Sequence, residues 1–252
     1  MVLDGVVDPT QDLEGLLAGQ TQALETRMAA VFAACAPATC PVTDAAATYD
    51  RVSARVETTP LPAGSAPPVG PTALAFAAIS SSYDAHGATS LLAALAAADA
   101  GDGTPMRALA DQYWATGSFT SYLAILCADS PHPDGAPAYR RLAAHLHTLS
   151  PRFGDALANE VLACAFWKVA TPLTPRPAVR ASGSAPILVV GNTGDVATPF
   201  ASAQKVASDL DHGVLLTYAG QGHTSFGKST CVDKAIRRYL SDLSTPDPSI
   251  AC

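Results

Sequence analysis

The stretch APILVVGNTGDVATP, Ala185–Pro199, decides the fold of this chain. Its apolar, β-branched run Ile187–Val190 is typical of a buried strand in a parallel sheet, and the Gly/Asn/Asp-rich segment that follows is a turn. The amphipathic segment Phe200–Leu210 then predicts a helix, and Val214–Tyr218 predicts a second strand. A strand, a helix and another strand in this order indicate a parallel sheet, and therefore an α/β fold.

A second stretch, LLTYAGQGHTSFG, places His223 just past the second of these strands, as Asp195 lies just past the first. In open α/β sheets the chemistry collects at the carboxyl ends of the strands. We therefore expect Asp195 to accept the Nδ1 proton of His223 and to orient it as a catalytic base. A turn aspartate and a surface histidine are the alternatives for each residue alone. Their positions on consecutive strands favour the catalytic pair.

The rest of the chain divides around this unit. MVLDGVVDP, Met1–Pro9, predicts one short buried strand, and a long helical, loop-rich region follows it. The prolines of Thr58–Pro71 predict a loop. We expect a core strand within residues 1–11, a helical cap over 12–180 and a C-terminal α/β segment over 181–252. Helices are predicted at about residues 12–36, 44–57, 74–82, 88–100, 105–114, 122–127, 139–148, 155–167 and 231–243.

Composition excludes several classes of function. The 252 residues carry a net charge of -7 and contain no basic run, which argues against a nucleic-acid partner. No window is long and apolar enough to predict a membrane span, and the N-terminus does not have the pattern of a signal peptide. No C-x-x-C pair or histidine pair has the spacing of a metal site, so neither a metal nor a cofactor is expected.

Six cysteines favour disulfides, although buried free thiols are an alternative. Two of the positions, one before Pro41 in a loop and one at the last residue, are poor places for a structural thiol. Disulfides imply an oxidising compartment, so we expect a secreted or cell-surface protein whose export signal lies outside this chain. Every pairing is open at this point. The cysteines are Cys35, Cys40, Cys127, Cys164, Cys231 and Cys252.

Three blocks, APILVVGNTGDVATPFASA, GQGHTSF and CVDKAIRRYLSDLSTPDPSIAC, together resemble the C-terminal part of the tripeptidyl aminopeptidase-like α/β-hydrolases. These are exported actinobacterial serine peptidases related to the prolyl aminopeptidases. MVLDGVVDP resembles the strand that follows their nucleophile elbow, and AGDGTPMRALADQY and CADS resemble their helical cap. The resemblance extends over nearly the whole chain.

The resemblance implies a partial α/β-hydrolase fold, with an incomplete parallel sheet and a large helical cap insertion. It makes Asp195 the acid and His223 the base of a catalytic triad. It also implies three disulfides, namely Cys231–Cys252, Cys35–Cys40 and Cys127–Cys164. Peptides are the implied substrates. Release of peptides from free N-termini needs a cap residue that binds the amine; Glu160 or Asp155 could do this, but a solvated helix charge is the commoner role and is favoured for both.

The nucleophile of such enzymes is absent from this sequence. It sits in G-x-S-x-G on a strand-to-helix turn, and no serine here has that context. Ser225 has the wrong spacing, and the other candidates lie on cap segments; these are Ser80, Ser81, Ser82, Ser90 and Ser118.

The elbow is expected upstream of Met1, so we expect the C-terminal portion of a serine hydrolase that is inactive alone and needs a missing N-terminal segment. A non-catalytic peptide- or protein-binding remnant and one half of a split hydrolase are the alternatives.

Overall fold

The computed structural model describes residues 1–35, 40–84, 86–115, 119–168, 174–247 and 250–252. They include a parallel sheet of three strands, in which the strand Ile187–Gly194 lies between the other two. Leu3 is opposite Val189, and Val189 is opposite Leu215. The predicted α/β fold with a partial parallel sheet is therefore confirmed. The strands are β1 (Val2–Asp4), β4 (Ile187–Gly194) and β5 (Gly213–Gln221).

Each face of this sheet is covered by one helix, as a parallel sheet requires. Successive side chains of a strand point to opposite faces. Leu188 and Val190 of β4 accordingly pack with α10 (Thr230–Asp242), whereas Ile187 and Val189 pack with α9 (Phe200–Asp209). The apolar run of β4 is fully covered, and this explains why its sequence does not alternate between apolar and polar residues.

The helical region between β1 and β4 has its own large core. Arg152 ties its helices together, because its guanidinium pairs with both Glu25 of α1 and Asp50 of α2. The helices are α1 (Leu13–Ala33), α2 (Ala45–Thr58), α3 (Pro71–Ser82), α4 (Gly87–Asp99), α5 (Thr104–Ala115), α6 (Phe119–Asp129), α7 (Gly135–Leu149) and α8 (Gly154–Glu160), with a 3₁₀-helix at Leu162–Phe166.

Two sequence-based predictions were wrong in this region. The proline-rich segment predicted as a loop contains an antiparallel hairpin, β2 (Leu61–Ala63) and β3 (Ala66–Val69). Proline is tolerated there because a two-stranded hairpin has only edge strands, whose outward N–H groups need no partner. The single helix predicted over residues 155–167 is broken at Val161, where α8 gives way to the 3₁₀-helix.

Three disulfides join Cys35 to Cys40, Cys127 to Cys164 and Cys231 to Cys252. The last one holds the C-terminal tail against the outer edge of β5, where the Cys252 N–H donates to the Thr217 carbonyl at 2.8 Å. Within the described part of the chain, no helix combines the length and apolar character needed to cross a bilayer.

Candidate catalytic dyad and its cavity

The carboxyl ends of β4 and β5 bring Asp195 and His223 together. The Nδ1 atom of His223 lies 2.9 Å from Oδ2 of Asp195 and 3.2 Å from Oδ1. Asp195 is buried, with 2% of its surface exposed, whereas the His223 side chain is 36% exposed. This geometry fixes one ring nitrogen of the histidine on the carboxylate and leaves the other free to exchange protons with a reacting group.

Asp195 is held by its own loop as well as by the histidine. Its Oδ1 accepts the N–H groups of Ala197 and Thr198, both at 2.9 Å. Its Oδ2 accepts the Thr198 hydroxyl at 2.9 Å and the Thr224 N–H at 3.2 Å. Burial by itself would raise the pKa of Asp195, but the hydrogen bonds from His223 and from these groups outweigh it and hold the pKa below its ordinary value. The carboxylate is therefore ionised and fixed in place.

The loop that carries His223 is tied down from three directions. Asn192, at the end of β4, donates its amide to the Gly222 carbonyl at 2.6 Å. Asp4, at the end of β1, accepts the N–H groups of Ser225 at 3.0 Å and Phe226 at 2.8 Å. The His223 N–H itself donates to the Tyr83 carbonyl, at the end of α3. All three strands and the helical cap thus contribute to the position of one imidazole.

Backbone strain marks the same place. Thr224 has a φ of 61°, a left-handed conformation that is unusual for a β-branched residue. Gly5 has a φ of 75°, and a Cβ there would lie 3.1 Å from Cε1 of His223. The turn after β1 therefore needs glycine both for its backbone conformation and for its close approach to the imidazole.

Sequence reasoning missed the contributions of Asp4, Asn192 and Thr198 to this site. Asp4 and Asn192 carry the same signal that identified Asp195, a polar side chain where an apolar strand ends, but the order of the strands is needed to see that they meet one loop. Thr198 follows Asp195 within the turn of its own loop.

The serines near the site do not form an elbow. Ser225 is fully buried, and its hydroxyl has no hydrogen-bond partner among the described residues. Ser81 and Ser82 are also buried and donate to carbonyls of α3. Ser80 lines the cavity beside His223, but it lies within a helix. Ser90 is exposed, and Ser118 lies outside the described residues.

His223 opens onto a cavity of about 840 Å³ between the sheet and the helical cap. Most of its lining is apolar or aromatic, and four aromatic rings face it. Glu160, the last residue of α8, contributes a carboxylate to the cavity wall and is only 8% exposed. The four aromatic rings that line the cavity, which we call the aromatic wall, belong to Tyr83, Tyr113, Phe119 and Tyr122.

Glu160 is therefore not the solvated helix charge favoured from the sequence. Burial raises its pKa to about 7, although the hydrogen bond that Tyr113 donates to Oε1 acts in the opposite direction. Asp155 has the expected character, because it is exposed and pairs with His147 at 2.9 Å. The helix turns between these two acids, so one faces the cavity and the other faces water.

The other histidines lie away from this arrangement. His145 pairs with Glu14 on the surface, and the half-buried His132 contacts the neighbouring Pro133 carbonyl. Within the described ranges, no group of three or more His, Cys, Asp and Glu side chains has an arrangement that could hold a metal ion.

The chain is similar to known hydrolases. Residues 150–252 match the family model described as TAP-like protein, a group of α/β-hydrolases. The whole chain is 30% identical over 277 aligned residues to carboxylesterase B of Mycobacterium tuberculosis and to a putative hydrolase of Mycobacterium bovis, and it covers 51% of each. Over 162 residues, 60% of this chain, it is 33% identical to the serine protease Hip1 of Mycobacterium tuberculosis and covers 31% of that protein. The chain thus spans about half the length of the first of these relatives.

Proposed function

We propose that this chain, whose residues 150–252 match the TAP-like α/β-hydrolases, supplies the acid, the base and the substrate-binding cap of a serine hydrolase. The proposed enzyme releases short peptides from the N-termini of its substrates. The observation that carries this proposal is the 2.9 Å contact between Nδ1 of His223 and Asp195 beside a cavity that His223 lines. An aspartate and a histidine arranged in this way are two thirds of a hydrolytic triad.

In the proposed mechanism His223 acts as general base through the ring nitrogen that Asp195 does not engage. It takes a proton from the attacking hydroxyl, and Asp195 stabilises the imidazolium that results. His223 then returns the proton to the leaving amine, and a second cycle with water hydrolyses the acyl-enzyme. The hydrogen bonds that Asp195 receives keep its carboxylate correctly oriented through both cycles.

We propose that the nucleophilic serine comes from a further α/β-hydrolase segment. Among the described residues, no serine projects from a strand-to-helix turn beside His223. The outer edge of β1 has no strand partner in the described part of the chain, so a further strand of the sheet can pair there. Its carboxyl end would then lie next to Asp4 and Gly5, where the His223 loop is held.

A residue of the helical cap favours a substrate with a free amine. Glu160 lies in the wall of the cavity that His223 enters, and an ionised carboxylate there would bind the ammonium group of a peptide N-terminus. The serine protease among the relatives is compatible with peptide hydrolysis. The carboxylesterase raises ester hydrolysis as a second candidate, which the mainly apolar lining of the cavity also favours. The three disulfides support a secreted or cell-surface location.

The test uses this chain co-expressed with the nucleophile-bearing segment of one of the relatives, and the chain alone. Hydrolysis of short peptide anilides, with and without an acetylated N-terminus, is compared with hydrolysis of an apolar ester. We expect activity only in the combination, with a loss of about 10⁴-fold in kcat for H223Q or D195N. The matched control H145Q changes an exposed histidine that also pairs with a carboxylate, and it should be fully active.

Several outcomes would contradict the proposal. Full activity of H223Q in the co-expressed combination would show that His223 is not the general base. Labelling of a serine of this chain by a fluorophosphonate would show that the nucleophile lies within it. Saturable peptide binding without any hydrolysis would instead support a non-catalytic binding protein.

A further inference from the structure

The aromatic wall is a continuous surface. The ring centroids of Tyr83 and Tyr113 are 6.0 Å apart, those of Tyr113 and Phe119 are 6.0 Å apart, and those of Phe119 and Tyr122 are 6.4 Å apart. Trp114 packs behind it against Tyr113 and Phe119. Neighbouring rings packed in this way restrict one another, so the aromatic lining is preformed before any ligand enters.

Glu160 is the unbalanced charge of this cavity. The described lining residues include no lysine or arginine. The other acid that lines it, Asp129, is paired with Arg176 at 3.3 Å, and His223 is engaged by Asp195. Tyr113 donates a hydrogen bond to Glu160 but brings no charge to it. A cation that enters the cavity therefore meets one buried carboxylate that lacks a counter-ion among the described residues.

We propose that the aromatic wall and Glu160 form a binding site for organic cations, including N-methylated ammonium groups that have no N–H to donate. This inference rests on the proposed function, because it defines the class of amine that the cap accepts. Cations lie favourably over the faces of tyrosine and phenylalanine rings, and recognition of quaternary ammonium groups is the best-known use of such surfaces. The attraction to Glu160 depends on charge and not on a donated hydrogen bond, so methylation of the nitrogen does not abolish it.

Methylation also favours entry into this particular cavity. A compact ammonium group is strongly hydrated, and burying it without several hydrogen-bond partners is unfavourable. Glu160 and the tyrosine hydroxyls are few partners for three N–H groups. A methylated ammonium group has a weaker hydration shell and an apolar surface that matches the lining. We therefore expect methylated amines to bind at least as well as their primary counterparts.

Binding should strengthen as Glu160 ionises, because only the carboxylate attracts a cation. Burial places its pKa at about 7. The groups that face it are Tyr113 from α5, Tyr122 from α6 and Tyr83 from the end of α3, and burial raises the pKa of each phenol, so all three stay neutral. Across the cavity, the pKa of Asp195 is lowered, so this acid does not titrate in the same range.

The experiment titrates the chain with choline and with the neutral isostere in which a quaternary carbon replaces the nitrogen. Calorimetry at about pH 8, or the fluorescence of Trp114 and Trp167, reports binding. We expect saturable binding of choline, and E160Q should weaken this binding about tenfold or more. The isostere should bind much more weakly than choline, and E160Q should not change the affinity for the isostere. The matched control D155N removes an exposed acid from the same helix and should bind choline like the wild type. Y122L should weaken choline more than the isostere.

Equal affinity for choline and its isostere, or choline binding unchanged by E160Q, would overturn the proposal. Binding of ethanolamine without binding of choline would also overturn it, but would leave the proposed peptidase intact because a primary amine is still recognised. Failure of the proposed function shows instead as an absence of hydrolysis, and this titration does not depend on turnover. Should E160Q lose its cooperative thermal melt, Y122L and the isostere provide the same comparison on a folded chain.

Discussion

At the scale of single residues, Asp4 is the most direct test of how the His223 loop is held. Its carboxylate accepts two backbone N–H groups across 221 and 222 residues of sequence. In D4N a neutral amide oxygen replaces the charged carboxylate as acceptor, and the amide N–H groups displace the second contact to the Ser225 N–H. We expect the loop to lose stability by about 1 kcal/mol, because hydrogen bonds to a charged acceptor are stronger than those to a neutral one.

The measurement is hydrogen exchange at Ser225 and Phe226, which should accelerate in D4N. The imidazole N–H resonance of His223 should also weaken or broaden, because its bond to Asp195 depends on the position of the loop. D102N is the control, since Asp102 likewise accepts a backbone N–H, on an exposed turn of the helical region. Unchanged exchange in D4N would show that Asn192 and Tyr83 hold the loop without Asp4.

Glu160 should make stability depend on pH in a direction opposite to that of most acids. Burial raises its pKa from the ordinary 4.5 to about 7 on folding, so the folded state binds this proton more tightly than the unfolded state does. The resulting stabilisation is complete below the unfolded pKa and is lost as the pH rises through the folded pKa. Between these limits the free energy of unfolding should fall by about 3 kcal/mol.

This prediction is checked by urea unfolding of the wild type and E160Q at about pH 5 and about pH 8. The difference in stability between the two proteins should shift in favour of E160Q at the higher pH, because glutamine has no charge to bury. D155N, with its exposed acid, should follow the wild type at both values. A constant difference would mean that Glu160 is solvated in solution.

The residues of the site differed in how well sequence could place them. Asp195 and His223 were predictable as a pair, because each follows a strand and parallel strands end at a common edge. The position of Glu160 in the cavity was not predictable, because its burial is set by the packing of α8 against α7, α1 and α3 and by its contact with Tyr113. A helical pattern does not say which turn faces a cavity. Asp195 and His223 can be recognised from their positions after strands in the sequence. The burial of Glu160 depends only on tertiary packing.

At the scale of elements, periodicity predicted the helices well and proline predicted the hairpin badly. The segment Thr58–Pro71 contains enough proline to disfavour a central strand, but among the described residues β2 and β3 pair only with each other. Leu61 and Val69 are fully buried beneath the hairpin, and this anchoring to the helical core decides its structure. The local propensity of this segment for a loop was therefore overridden by its tertiary contacts.

The C-terminal tail is the element whose removal should affect the sheet. Replacing Cys231 and Cys252 with serine frees the tail from the edge of β5, to which Cys252 donates its N–H. The closed segment spans 21 residues, so loss of the disulfide should destabilise the protein by about 3 kcal/mol. An uncovered edge strand also invites association with other chains.

Thermal melting and light scattering measure these two effects. The double variant of Cys35 and Cys40 is the matched control, because the two cysteines are separated by only 5 positions and Cys35 packs against the helical core. It should cost about 2 kcal/mol and should not increase scattering. Equal scattering from both variants would mean that the tail does not protect β5.

At the scale of the whole molecule, sequence predicted the layers but not their order. One strand before a long helical region and two strands after it were expected, and the parallel sheet consists of these three strands. That β4 is central, between the first and last strands, follows only from the structure. This order matters for the site, because it places Asp4, Asp195 and His223 at three adjacent strand ends. It also leaves the outer edge of β1 without a strand partner among the described residues.

Hydrogen exchange along β1 tests whether a nucleophile-bearing segment docks there. Gly5 donates to the Val190 carbonyl and Met1 accepts from Leu188, so alternation directs the N–H of Leu3 towards β4 and those of Val2 and Asp4 outward. In this chain alone, Leu3 should be protected, whereas Val2 and Asp4 should exchange rapidly. Co-expression with the corresponding segment of a relative should slow Val2 and Asp4 by about a hundredfold or more, as expected for amides that join a core sheet.

Leu3 is the internal control, because its partner on β4 is present in both samples. Protection of Val2 and Asp4 together with new hydrolytic activity would place the added strand and the nucleophile on the same edge. Activity without protection at Val2 and Asp4 would mean that the segment binds elsewhere, and protection in the chain alone would mean that the edge of β1 is already occupied. In either case the sheet would have to be completed in a way other than pairing on β1.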